Sequence, residues 1–106
     1  MRDSVRFEKE NNRLTAFLCG ELDHHTAGML RLQIDHMISL QRPKELILDF
    51  SAVPFMDSSG IGLILGRHRK MTEIGGSVFL QQMSPRIAQM VALSGIEKTI
   101  GQKEES

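Results

Sequence analysis

Between residues 46 and 66 the chain reads LILDFSAVPFMDSSGIGLILG, and few folds accommodate that order of residues. Residues 46–50 are a short, almost continuously apolar run of strand length. Residues 61–65 are apolar again, but glycines stand at Gly60, Gly62 and Gly66. Between the two runs lies Asp57-Ser58-Ser59. A buried strand that ends in this polar triplet and continues as a helix sets the hydroxyls at a helix N-terminus. There the first backbone N–H groups lack partners and the dipole favours negative charge, so the position suits a phosphate group.

The flanking segments supply the rest of a layered domain. Val5, Phe7 and Lys9 alternate with Arg6 and Glu8, Asn11-Asn12 supplies turn chemistry, and a second β run follows from Leu14 to Cys19; together they predict an antiparallel hairpin. Gly20-Glu21-Leu22-Asp23 closes it with an acidic loop. Helical spacing then carries Ala27, Leu30, Ile34, Met37, Ile38 and Gln41, with either Asp23 or Thr26 as cap and Arg42-Pro43 as the stop. Residues 44–50 form the central strand, apolar on both sides and so expected to be covered on both faces.

The helix opened by Asp57-Ser58-Ser59 is expected to bury Ile61, Ile64, Leu65 and Met71 and to stop at Gly75-Gly76. A fourth strand follows at residues 77–81. Ser84-Pro85 then starts a helix with Ile87, Met90 and Val91 inward and Gly95 at its end. Residues 96–100 are expected as a short closing strand and 101–106 as a frayed polar tail. The predicted fold is a single α/β domain over residues 1–106, order β-β-α-β-α-β-α with an optional last β. Its sheet of four to five strands is mixed but mostly parallel, because strands separated by helices require crossovers of one hand.

Composition narrows the function. Thirteen basic and thirteen acidic residues cancel in 106, which argues against nucleic acid or a membrane surface as partner. The charged N-terminus lacks the apolar core of a signal peptide, and Cys19, alone in an apolar context, forms no internal disulfide; a cytoplasmic protein is expected. No phosphate-loop, dinucleotide or nucleophile-elbow spacing occurs around Gly60 or Ser58. His24, His25, His36 and His68 show no metal-ligand spacing, so neither a metal, a cofactor nor catalysis is expected.

The glycines stand out instead. Ser58, Gly62 and Gly66 recur every four residues and share one helix face, although an interior glycine costs about 1 kcal/mol relative to alanine. Two readings stay open: close packing on the sheet or a neighbouring helix, or a smooth ledge leading to Ser58 against which a partner lies. Asp57-Ser58-Ser59 likewise reads either as a plain N-cap or as a regulatory site, and spacing does not separate Ser58 from Ser59.

Residues 20–27, GELDHHTA, and 55–67, FMDSSGIGLILGR, closely resemble the anti-sigma factor antagonists of the STAS domain family, and within it the sporulation sigma-F branch of endospore-forming bacilli. The resemblance spans nearly the whole chain. It implies a partner-switching protein that binds an anti-sigma factor serine kinase and so frees a sigma factor. It implies that the kinase phosphorylates Ser58 and that a serine phosphatase reverses the modification. The expected partner-binding residues are Glu21, Asp23, Asp57, Ser59, Gly60 and Gly62, and a monomer is expected because no long apolar stripe is left over. Family members run on into a C-terminal helix where this chain ends in a charged tail, so contacts of that helix do not carry over. The rivals are another STAS-type regulator, such as a stress-response sigma antagonist or a lipid-transport accessory subunit, and a small nucleotide-binding protein using Ser58 covalently.

Overall fold

In the computed structural model the described residues are 5–102. Two short antiparallel strands, β1 (Val5–Glu10) and β2 (Arg13–Cys19), form the expected hairpin, with Asn11 in the left-handed region at φ 57°. The chain continues through α1 (His24–Gln41), β3 (Glu45–Ala52), α2 (Ser58–Glu73), β4 (Ser77–Gln81) and α3 (Pro85–Ser94). With a short last strand, β5 (Gly101–Gln102), sheet order follows chain order, β1-β2-β3-β4-β5, and every pair after the hairpin is parallel.

Capping chemistry sets the helix bounds. Ser84 Oγ accepts from the Ile87 N–H and Pro85 fills the first turn of α3. Helix α1 ends where Arg42 takes φ 45°, and α3 ends at Gly95 with φ 79°. Only glycine adopts the left-handed region without Cβ strain, whereas Arg42 is driven out of the helical region by Pro43.

Two consequences of this order differ from expectation. Crossovers of one hand between successive neighbouring strands put all three helices on the same face of the sheet. The core cluster agrees, uniting Leu14, Ala16, Leu48 and Leu80 of the strands with Leu30, Ile34, Ile64 and Ile87 of the helices. Strand β3 is therefore not covered by helices on both faces. Its other face carries Ile47 and Asp49, both buried between register partners: Thr15 and Phe79 flank Ile47, and Phe17 and Gln81 flank Asp49. The Asp49 carboxylate accepts from the Ser51 N–H (2.9 Å), the Ser51 hydroxyl (2.6 Å) and Gln81 Nε2 (2.8 Å). Those three bonds meet the requirement that a buried acid be satisfied.

The second difference is at the C-terminal end. Residues 96–100 are not a strand: Ile96–Lys98 is a single 3₁₀ turn, and the closing strand β5 is Gly101–Gln102, paired with β4. Ile96 and Ile100 are both buried, and their four-residue spacing is that of a helical turn. Part of the expected tail thus belongs to the sheet, and residues 103–106 lie outside the described residues. Two side chains also depart from their expected places. Leu65 is exposed at 39%, replaced in the buried stripe by Leu63 and Arg67. Cys19 is exposed at the end of β2.

Candidate functional site

The acidic loop and the start of α2 are stitched together by backbone. Gly20 N–H donates to Ala52 O (3.0 Å), Leu22 N–H to Phe55 O (2.9 Å), and Asp57 N–H to Leu22 O (3.1 Å). Leu22 and Met56 form an isolated parallel bridge, and both side chains are buried. These bonds extend the β2–β3 pairing past the strand ends, so Glu21 and Asp23 are held beside Asp57 by the same ladder that builds the sheet. Open α/β sheets present their sites at this edge, outside the carboxyl ends of parallel strands.

Both helix starts here are capped by aspartate. Asp23 Oδ1 accepts from Thr26 N–H while Asp23 N–H donates to Thr26 Oγ1, each at 3.0 Å, so the two candidate caps form one capping box. The Thr26 hydroxyl also donates to Glu21 O at 2.8 Å, pinning the loop. Hydrogen bonding from the Thr26 backbone, ahead of all other causes, holds the Asp23 carboxyl below its ordinary value. On α2, Asp57 Oδ1 accepts from the Ser59 N–H at 2.8 Å.

That assignment separates the three polar residues. Asp57 is the cap, Ser58 is the first helical residue and is exposed, and Ser59 is half-buried. No hydrogen bond to the Ser58 hydroxyl occurs among the described residues. The hydroxyl is presented to solvent at a helix N-terminus without a structural task.

The glycines separate as sharply. A Cβ on Gly60 would collide with Cγ and Sδ of Met56 and come within 3.2 Å of Leu22 Cδ2. Gly60 is buried and belongs to the packing beneath the site, not to the surface on which Ser58 and Gly62 lie. At Gly62 and Gly66 a Cβ would meet nothing within 4 Å. Close packing on the sheet or a neighbouring helix, one of the two readings of the Gly62–Gly66 face, is therefore not what these two glycines serve, whereas Gly60 is closed over by Met56 and Leu22 of the junction itself.

One strong contact was invisible to local sequence patterns. Arg67 sits inside the α1–α2 interface with its side chain only 6% exposed; its Nε lies 2.7 Å from Asp35 Oδ1, and its Nη2 donates to Asp35 Oδ2 at 3.2 Å. Arg67 Nη1 also donates to Leu63 O at 3.3 Å. Burial lowers the guanidinium below its ordinary value, Asp35 raises it, and Arg31 and Arg69 lower it again. No helix among the described residues is long and apolar enough to cross a membrane, and no group of three or more His, Cys, Asp or Glu side chains among them converges as a metal site.

Fold order and junction together define a STAS-type α/β domain, with a capped strand-to-helix turn as its presented feature. The chain belongs to the STAS domain family, whose model matches residues 5–105. It is similar to the anti-sigma F factor antagonist of Paenibacillus polymyxa, with 36% identity over 90% of this chain and 83% of that protein. Among solved structures it is similar to the anti-sigma factor antagonist SpoIIAA in its unphosphorylated form. That match has 31% identity and a TM-score of 0.81, covering 95% of this chain and 89% of that one. The Bacillus cell fate determinant SpoIIAA in its phosphorylated form is also similar, at 31% identity and a TM-score of 0.72 over 95% and 92% of the two chains.

Proposed function

We propose that the protein is an anti-sigma factor antagonist of the cytoplasm that works by switching partners. Unphosphorylated, it binds an anti-sigma factor serine kinase and so frees a sporulation sigma factor. Phosphorylation of Ser58 by that kinase ends the binding, and a serine phosphatase restores it. The observation that carries the reading is Ser58, exposed and with no hydrogen bond to its hydroxyl among the described residues, while Asp57 does the capping that a serine in this position would otherwise do. A relative that exists in both unphosphorylated and phosphorylated forms supports it. The protein acts here as a regulated ligand, a monomer that performs no chemistry of its own.

The physical consequence of the modification falls on the interface. A phosphoserine adds about −1.5 to −2 charges. At the start of its own helix it is stabilising by roughly 0.3–1 kcal/mol, and repulsion from Asp57 offsets part of that. The fold therefore persists. Glu21, Asp23 and Asp57 already make this edge acidic, so the surface that receives it is basic or rich in donors. Phosphate bulk beside Gly62, one turn below Ser58, separates surfaces that the missing side chain allows to touch, and Ser59 borders the same contact. A loss of about 3–4 kcal/mol weakens binding by two to three orders of magnitude.

The test is incubation with ATP and the cognate anti-sigma kinase, followed by peptide mass spectrometry and binding measurements. A single phosphate on Ser58, abolished by Ser58→Ala, is expected. Ser58→Ala should bind the kinase persistently and Ser58→Glu poorly. Phosphate on Ser59 alone, or full-strength binding by a folded Ser58→Glu, refutes the assignment.

A further inference from the structure

Beside the serine junction, α1 and α2 leave a groove of about 470 Å³ between them. His24, Gly28 and Arg31 line it from α1, and Gly62, Gly66 and Arg69 from α2. Ala27 and Leu63 give it an apolar floor, and Ser59 stands at the end nearest the phosphorylation site. A Cβ at Gly28, Gly62 or Gly66 would meet nothing within 4 Å. Three helix-weakening residues thus sit side by side where the protein's own packing asks for none of them.

The charge around the groove is one-sided. Arg31, Arg67 and Arg69 all border it and no carboxylate does. Arg67 is neutralised by Asp35. Arg31 and Arg69 are exposed, with no ion pair found for either among the described residues. The opposite sign gathers at the other end, where the loop carrying Glu21 and Asp23 is held beside Asp57, the residue before Ser58. Ser58 and Arg69 are eleven positions apart on α2, roughly 16 Å at the helical rise. The surface that begins at the acidic edge therefore ends in uncompensated positive charge.

The geometry points to the α1–α2 groove as the docking site for an acidic segment of the anti-sigma factor, laid against the backbone at Gly28, Gly62 and Gly66 and held by Arg31 and Arg69. This rests on the functional reading above and extends it from one residue to an oriented contact. A partner must match a negative edge and a positive groove in that order, which fixes its register over Ser58 and steers its approach. A protein segment fits better than a nucleic acid, because the chain carries no net charge and the groove offers an apolar floor in place of a run of phosphate contacts.

The experiment is titration of the purified anti-sigma factor kinase against wild type, Arg31→Glu/Arg69→Glu, Gly62→Leu and Ser58→Glu, at about 50 mM and 500 mM salt, with melting curves for each. The charge-reversed variant is expected to bind about tenfold or more weaker at low salt, with the gap narrowing at high salt as screening shortens to about 4 Å. Gly62→Leu is expected to melt no lower than wild type while binding at least about tenfold weaker. Wild-type binding that Ser58→Glu loses but both groove variants keep overturns the groove and leaves the switch standing. Absence of binding by wild type overturns both. Selective loss of duplex DNA binding in the charge-reversed variant, with kinase binding intact, overturns the protein segment as occupant.

Discussion

Gly60→Ala and Gly62→Ala make the same chemical change two residues apart in one helix, and the structure gives them opposite signs. At Gly60 the new methyl lands inside the Met56 side chain and 3.2 Å from Leu22. Both neighbours are core residues, with 2% and 1% of their surface exposed. Forcing extra volume into such a site costs about 1–3 kcal/mol. The gain from replacing glycine in a helix is about 0.5–1 kcal/mol, smaller in the first turn, where Gly60 lies. The net expectation is destabilisation by about 1–2 kcal/mol, a fall in Tm of roughly 5–15 °C for a domain of this size. At Gly62 the methyl enters open space, and only the helical gain of about 0.5–1 kcal/mol remains. Urea unfolding of both variants, with m unchanged, measures the difference directly. Shortening the obstacle in Gly60→Ala/Met56→Val should recover part of the loss, a coupling that independent sites would not show. If Gly60→Ala proved as stable as Gly62→Ala, the division of these glycines into packing and surface would be wrong.

Three further outcomes follow from the contacts. Asp35→Ala leaves the nearly buried Arg67 without its counter-charge; a broken buried pair costs about 3–5 kcal/mol, and the quarter exposure of Asp35 with the remaining bond to Leu63 O brings the expected loss to about 2–3 kcal/mol by urea unfolding. Replacing both partners, as Asp35→Leu/Arg67→Leu, should be much less damaging than Asp35→Ala alone, because no charge is then stranded. The lowered Asp23 carboxyl gives a pH dependence of known sign. Its stabilising contribution is fully present above the unfolded value near 3.9 and is lost as pH falls through the lower folded value. The stability gap between wild type and Asp23→Ala should therefore be constant from about pH 5 to 7 and close below about pH 4.

How far the sequence discloses this molecule depends on the range of each interaction. Hairpin, caps and helix stops are local, so Asn11, Asp23, Ser84-Pro85 and Gly95 could be read from neighbours within four residues. The junction at Asp57 was equally legible as a helix start. Which of Asp57, Ser58 and Ser59 does the capping was not, since all three types cap well. Gly60 and Gly62 look alike in sequence, because what divides them is Met56 and Leu22 closing over one and not the other. Arg67 reads as a surface residue until α1 brings Asp35, 32 positions away, against it. Leu65, apolar and next to Ile64, suits an inward stripe by residue type, yet the angle it occupies belongs to the exposed face with Ser58, Gly62 and Arg69. Ile96 and Ile100, within the segment expected as a closing strand, are spaced as in a helical turn, which is what they form.

The backbone ladder that carries Leu22 onto Met56 would also let the switch proposed at Ser58 operate without disturbing the fold. Rigidity at the junction comes from below, from the Leu22 and Met56 side chains and the bare Cα of Gly60, all removed from solvent. The groups proposed to face a partner, the exposed Ser58 and the open space above Gly62, contribute no packing. Charge placed on Ser58 therefore has no core contact to break, and its free energy is expressed against whatever lies on the surface. If instead the phosphate acted by loosening α2, amide exchange of residues 58–66 would rise on modification of the free protein. Unchanged protection there, together with lost partner binding, is the outcome this arrangement requires.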